Sequence, residues 1–217
     1  MRRVLPGLLA MVAVLGCSDL LPPPGVDPYE YRREIPIEGG VFRVAFHWPR
    51  QMLPLKIWIA DTDPLRPMLT RAIALWQTVF VYGEFRAELV TEPEAADIVV
   101  RNTVAPSLNR ASLRLESLAR QCTGATDYVV DTERAEIVLP LEVYAWSRIG
   151  PTGEGLEECY EITVLHELGH ALGILNHSLD SRDLMFGDPT VNGFSEQDRA
   201  TALAATHHPS NVVPVRR

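Results

Sequence analysis

Two histidines four residues apart with a glutamate beside the first, in the run HELGHALGILNHS at residues 166–178, are the side chains best suited to chemistry in this 217-residue chain. On an α-helix, positions i and i+4 share a face. His166 and His170 can therefore aim ring nitrogens at one cation while Glu167 projects beside it. Gly173 can take the positive φ that ends a helix, after which the chain turns back and brings His177 towards the pair as a third ligand. Three of the six histidines fall within the twelve residues 166–177. Three neutral imidazoles leave Zn²⁺ near its full charge with one position open, which brings the pKa of a bound water to about 7 and suits hydrolysis. Glu167 is then the general base, taking the water proton and later delivering a proton to the leaving amine.

The run resembles the metzincin metallopeptidase signature HExxHxxGxxH, and its wording is most similar to the matrixin branch. That signature puts its last histidine three residues after the glycine, where this chain has Asn176, and His177 follows one residue later. Downstream, HSLDSRDLM at residues 177–185 resembles the matrixin run of His-Ser, an acidic residue two further on, and Leu-Met. Counted back from Met185, His177 is in register. The resemblance thus implies a one-residue insertion between Gly173 and His177, with His177 as the third ligand and Asn176, a neutral amide, bonding to nearby backbone. It also implies that Leu184, Met185 and Phe186 form the Met-turn, an apolar floor beneath the metal.

By the same resemblance the chain is a zinc-dependent endopeptidase acting on protein or peptide substrates, with one catalytic Zn²⁺. The substrate is expected to lie extended and to pair antiparallel with an edge strand in the 125–140 region, with residues 187–193 walling the pocket behind the metal. Gly187 stands where astacin-like relatives carry a tyrosine as an extra oxyanion donor. A gluzincin arrangement would need Glu196 as a ligand, and its surroundings, FSEQD, do not resemble that family. A rival from another class is a non-catalytic zinc-binding surface lipoprotein. A purely structural zinc site is usually closed by four protein ligands and has no use for a base such as Glu167.

The N-terminus speaks to location. Arg2 and Arg3 precede an apolar run at residues 4–16, too short to span about 30 Å of bilayer but of signal-peptide length. Its end, Val14-Leu15-Gly16-Cys17, resembles a bacterial lipobox, so Cys17 is the expected lipidation site, and Ser18 after it resembles lipoproteins sent to the outer membrane. Residues 1–16 are thus read as a signal peptide and residues 17–39 as a lipidated, proline-rich tether. Loss of Arg2 and Arg3 takes the formal charge from −8 to −10. So acidic a protein argues against nucleic acid as a partner, and membrane association rests on acyl chains. Cys122 and Cys159 then remain, a possible disulfide in an oxidising compartment.

What must position the site is a single metallopeptidase domain over residues 40–208, followed by a tail at 209–217 and expected to be monomeric. Extended segments are expected at 40–48 and 55–60. A helix is expected from Asp63-Pro64, with Leu65, Met68, Ala72, Ile73, Trp76 and Val79 at helical spacing. Short strands follow at 87–90, 96–101 and 135–139, with a weaker one at 128–130, while residues 105–121 read as a polar loop with room for a short helix. The active helix is expected over 154–172. Ser195 with Asp198 resembles a capping box opening a last helix. The fold class is therefore α+β, a metzincin-like domain with a twisted, mostly parallel sheet and an antiparallel edge strand. The acidic groups Glu154, Glu157, Glu158 and Glu161, and Asp180, Asp183 and Asp188, admit a structural Ca²⁺ without any compelling spacing.

Overall fold

In the computed structural model, the residues described are 25–108, 112–150 and 153–217. The expected signal peptide and Cys17 lie outside them. The architecture is α+β. Five strands, β1 (Arg33–Ile37), β2 (Gly40–Val44), β3 (Leu55–Trp58), β4 (Ala87–Val90) and β5 (Ile98–Arg101), precede three long ones, β6 (Ser112–Ala119), β7 (Cys122–Asp131) and β8 (Glu136–Ser147). Helix α1 (Arg66–Val79) lies between β3 and β4, and helices α2 (Leu156–Ala171) and α3 (Glu196–His207) precede a last strand, β9 (Val213–Arg216).

The main sheet has the order β4-β3-β5-β8-β7-β6, with β9 pairing beside the start of β8. β3, β4, β5, β8 and β9 pair in parallel, whereas β7 runs antiparallel to both its neighbours. β1 and β2 form a separate antiparallel hairpin. Strands β3 and β8 turn one apolar face into the core, and β5 is buried on both faces. Leu55, Ile57, Ile98, Val100, Leu141 and Val143 are all buried.

Several expectations are corrected. The antiparallel strand β7 is not at the edge, because residues 112–119, read as loop, form β6 and cover it along its length. The segment SLRLESLA alternates, with Leu115, Ser117 and Ala119 buried against α2 and Arg114, Glu116 and Leu118 on the other face. The first helix begins at Arg66 rather than Pro64: Asp63 is spent on a turn, accepting from Leu65 N through Oδ1 and from Arg66 N through its carbonyl, and Pro67 occupies the first helical turn.

The folded body also reaches beyond residues 40–208. Tyr31 is buried, its carbonyl accepts from Leu175 N, and Tyr29 donates to Asp198, so the end of the expected tether is packed against the domain. The expected C-terminal tail supplies β9, whose Arg216 bonds to the buried Asp97 at 2.6 Å. Among the described residues no helix is long and apolar enough to cross a membrane.

Candidate metal centre

Helix α2 begins after Gly155, which has φ +76°, and is almost wholly buried from Cys159 onward. Its first ordered turn is tied to the sheet by a disulfide between Cys122 and Cys159, with Cα atoms 5.7 Å apart. Its last turn is satisfied from outside: Trp48 Nε1 donates to Ala171 O at 2.8 Å and the Tyr128 hydroxyl to His170 O at 2.6 Å. Gly173 then takes φ +111° with its α-carbon pressed against the Phe46 carbonyl, so a side chain would be both strained and without room. That single residue redirects the chain towards Asn176 and His177.

The cluster is formed by His166, His170 and His177. Nε2 of His166 lies 3.0 Å from Nε2 of His170, which lies 3.0 Å from Nε2 of His177. The three candidate ligand atoms all fall within 4.8 Å of one another. Two nitrogens bound tetrahedrally at about 2.0–2.1 Å from one ion are about 3.3 Å apart, close to what is seen.

The outer nitrogens decide whether a cation fits. His166 Nδ1 lies 2.7 Å from Leu184 O and His170 Nδ1 lies 2.5 Å from Ile174 O. A carbonyl only accepts, so each Nδ1 carries the hydrogen and each Nε2 is left with a lone pair. Lone pairs facing one another at 3.0 Å satisfy nothing by themselves, and a cation among them satisfies all. Burial holds the rings neutral, as metal ligands must be. It is the main cause for His166, depressed to about 3, and for His170 and His177, also lowered, with like charge among the rings and Arg33 adding to the effect.

Asn176 is not part of the cluster. Its Nδ2 donates to Arg32 O at 2.6 Å and its Oδ1 accepts from Arg33 at 2.9 Å, so it clamps the β1 segment rather than its own turn. Below the histidines, Met185 is fully buried against Gly169, where an added Cβ would lie 2.6 Å from Met185 Sδ and 2.7 Å from the Trp76 ring. Asp198 holds this floor. Its carboxylate accepts from Leu184 N at 2.8 Å, Met185 N at 3.2 Å and Ser195 N at 3.0 Å, while Ser195 Oγ accepts from Asp198 N to complete the capping box of α3.

Glu167 has surroundings that sequence reasoning missed. It is fully buried, Oε1 accepting from Ser117 Oγ at 2.6 Å and Oε2 from Thr126 Oγ1 at 2.7 Å. Burial pushes its carboxyl up to about 8, against the lowering effect of the two hydroxyls. Gly124, paired with Ser117 across β6 and β7, leaves room for this side chain; a Cβ there would sit 2.6 Å from Glu167 Cγ. The alternation of SLRLESLA is the signal that could have revealed Ser117, but Arg114 and Glu116 give the segment a loop-like polarity.

No protein-family model matches this chain, and no curated protein matches it. The acidic groups considered for Ca²⁺ are engaged with arginines in part: Asp180 with Arg182, and Glu157, Glu158 and Glu161 with Arg71 or Arg120. His207, the last residue of α3, and His208 after it are exposed and are not among the clustered histidines.

Proposed function

We propose that this protein is a zinc-dependent endopeptidase of the metzincin type, exported and anchored by a lipid on Cys17. The observation that supports it most is the clustering of three imidazole nitrogens within 4.8 Å, two of them with lone pairs turned inward by carbonyls on their Nδ1 atoms, and a carboxylate on the residue after His166. His166, His170 and His177 would hold the ion, the first two oriented by the Leu184 and Ile174 carbonyls. Zinc, when bound, supplies Lewis-acid polarisation of a carbonyl and of water.

The chain's own residues do the rest. Glu167 moves the proton, accepting it at a carboxylate oxygen from water and delivering it to the leaving nitrogen. Thr126 of β7 holds one carboxylate oxygen and so orients the base, while Ser117 of β6 bonds to the other oxygen as long as β6 lies in place. Met185 and Leu184 exclude water from beneath the histidines, and Asp198 keeps that floor in place.

One observation favours the rival reading, a non-catalytic zinc-binding lipoprotein: Glu167 is fully buried, with Ser117 of β6 bonded to its carboxylate. The two readings separate in one assay. The full chain, loaded with zinc, is incubated with reduced and alkylated α-lactalbumin, with and without a chelator, beside Glu167→Gln at equal zinc content. The peptidase reading expects cleavage that the chelator stops, that zinc restores, and that falls by at least about a hundredfold in the variant. Zinc binding with no cleavage under any of these conditions would favour the rival.

A further inference from the structure

Resting on that reading, we propose that β6 is a resident occupant of the peptide-binding groove. An extended segment of the substrate polypeptide displaces it, pairing antiparallel with β7 in its place. Three observations converge on this strand.

First, backbone holds β6 on both edges. One edge makes the antiparallel ladder with β7 from Ser112↔Val129 to Ala119↔Cys122. On the other, the Leu118 N–H points away from β7 and donates to Gly187 O at 3.0 Å. Gly187 lies against the His177 ring, an added Cβ falling 3.5 Å from Nδ1. A strand held this way is recognised through groups that every peptide carries, so a foreign extended chain can make the same bonds.

Second, β6 lies on one side of the base, with Gly124 and Thr126 of β7 on the other. Ser117, one residue before Leu118, bonds to Glu167 Oε1, and Glu167 has no exposed surface. A scissile carbonyl cannot approach Glu167 while Ser117 stands there. Leu118 passes between β7 and Gly187, where a substrate backbone would have to run.

Third, β6 is fastened in a way that lets it leave. At the site its inward residues are small, Ser117 and Ala119, and Leu118 is 47% exposed. A side-chain latch lies four residues earlier, where Arg114 bonds to both carboxylate oxygens of Asp127 on β7 at 2.7 and 2.6 Å and to Pro106 O at 2.7 Å. The hairpin end is firmly tied, Arg120 to Glu158 and Cys122 to Cys159. The strand can therefore swing away from β7 while remaining attached at its turn.

The test uses the full chain. Amide hydrogen exchange is measured on zinc-loaded Glu167→Gln, which retains a bound polypeptide uncut, with and without reduced and alkylated α-lactalbumin. In parallel, cleavage of the same probe is compared for wild type, Asp127→Ala, which opens the latch, and Leu118→Pro, which removes the N–H bonded to Gly187 O without removing any that β7 uses. The expected result is loss of protection at residues 112–119 on adding the probe while residues 122–131 stay protected, with both variants cutting about tenfold faster. Binding or cleavage of the probe with β6 still protected overturns the proposal, as does failure of the probe to bind any of the chains. Failure of the peptidase reading looks different: the probe binds and exposes β6, yet no chain cleaves it. Two unrelated lesions giving the same acceleration separate unlatching from simple destabilisation.

Discussion

Asn176 and His177 are adjacent polar residues, yet one clamps β1 and the other turns its imidazole to the cluster. The one-residue offset from the metzincin signature is absorbed by the turn after Gly173, and the candidate ligand set is His166, His170 and His177. Truncating His177→Ala should weaken zinc binding by more than about a hundredfold, since even outer partners of a ligand are worth about 10- to 100-fold. Asn176→Ala should change it by far less. Competition against a chromophoric chelator reads both, and the reverse ranking would show that the amide, not the imidazole, completes the site.

Helix α2 was legible because its information is local: the i, i+4 histidines, the glycine that ends it and the capping box that opens α3 all read from neighbours in sequence. Gly169 has a less obvious part. Alanine there would gain about 1 kcal/mol in helix propensity but would have to push Met185 and the fully buried Trp76 ring, at a cost of about 1–3 kcal/mol. Gly169→Ala is therefore expected to lower the urea midpoint and to weaken zinc binding through the displaced floor. An unchanged midpoint would mean that Met185 moves freely. The strands were read less well, for a physical reason. β1, β6 and β9 are short or at an edge, and their identity depends on a partner that no local pattern names. Gly124 and Ala125 of β7 are weak strand formers, held by Ala145 and Tyr144 on one side and by β6 on the other. Ser117 and Thr126 as partners of Glu167 follow only once the Ser117↔Gly124 register is known.

For the molecule as a whole, the buried site makes stability depend on pH, in opposite senses for its two kinds of group. His166, at about 3 when folded, takes up its proton only on unfolding, so its contribution is complete above about pH 6.5 and is lost as pH falls. His170 and His177 act in the same direction. Glu167, raised to about 8 when folded, contributes stability below its ordinary carboxylate range and loses it as pH rises through 8. The metal-free protein should therefore melt highest near pH 6.5, with a lower melting temperature on both sides in a series from about pH 4 to 9. A melting temperature rising steadily to pH 9 would mean that Glu167 is already ionised in the fold. At the same scale, Tyr29 and Tyr31 of the segment expected to be a tether pack on the domain beside Asp198 and Leu175, so the folded body begins by Tyr29.

The most direct measurement is X-ray absorption at the zinc edge of the full chain carrying one equivalent of the metal. Three imidazole nitrogens at about 2.0–2.1 Å with one further light ligand are expected, and one imidazole should disappear in His177→Ala. A zinc ion held by four protein ligands, or a spectrum that the substitution leaves unchanged, would contradict the account.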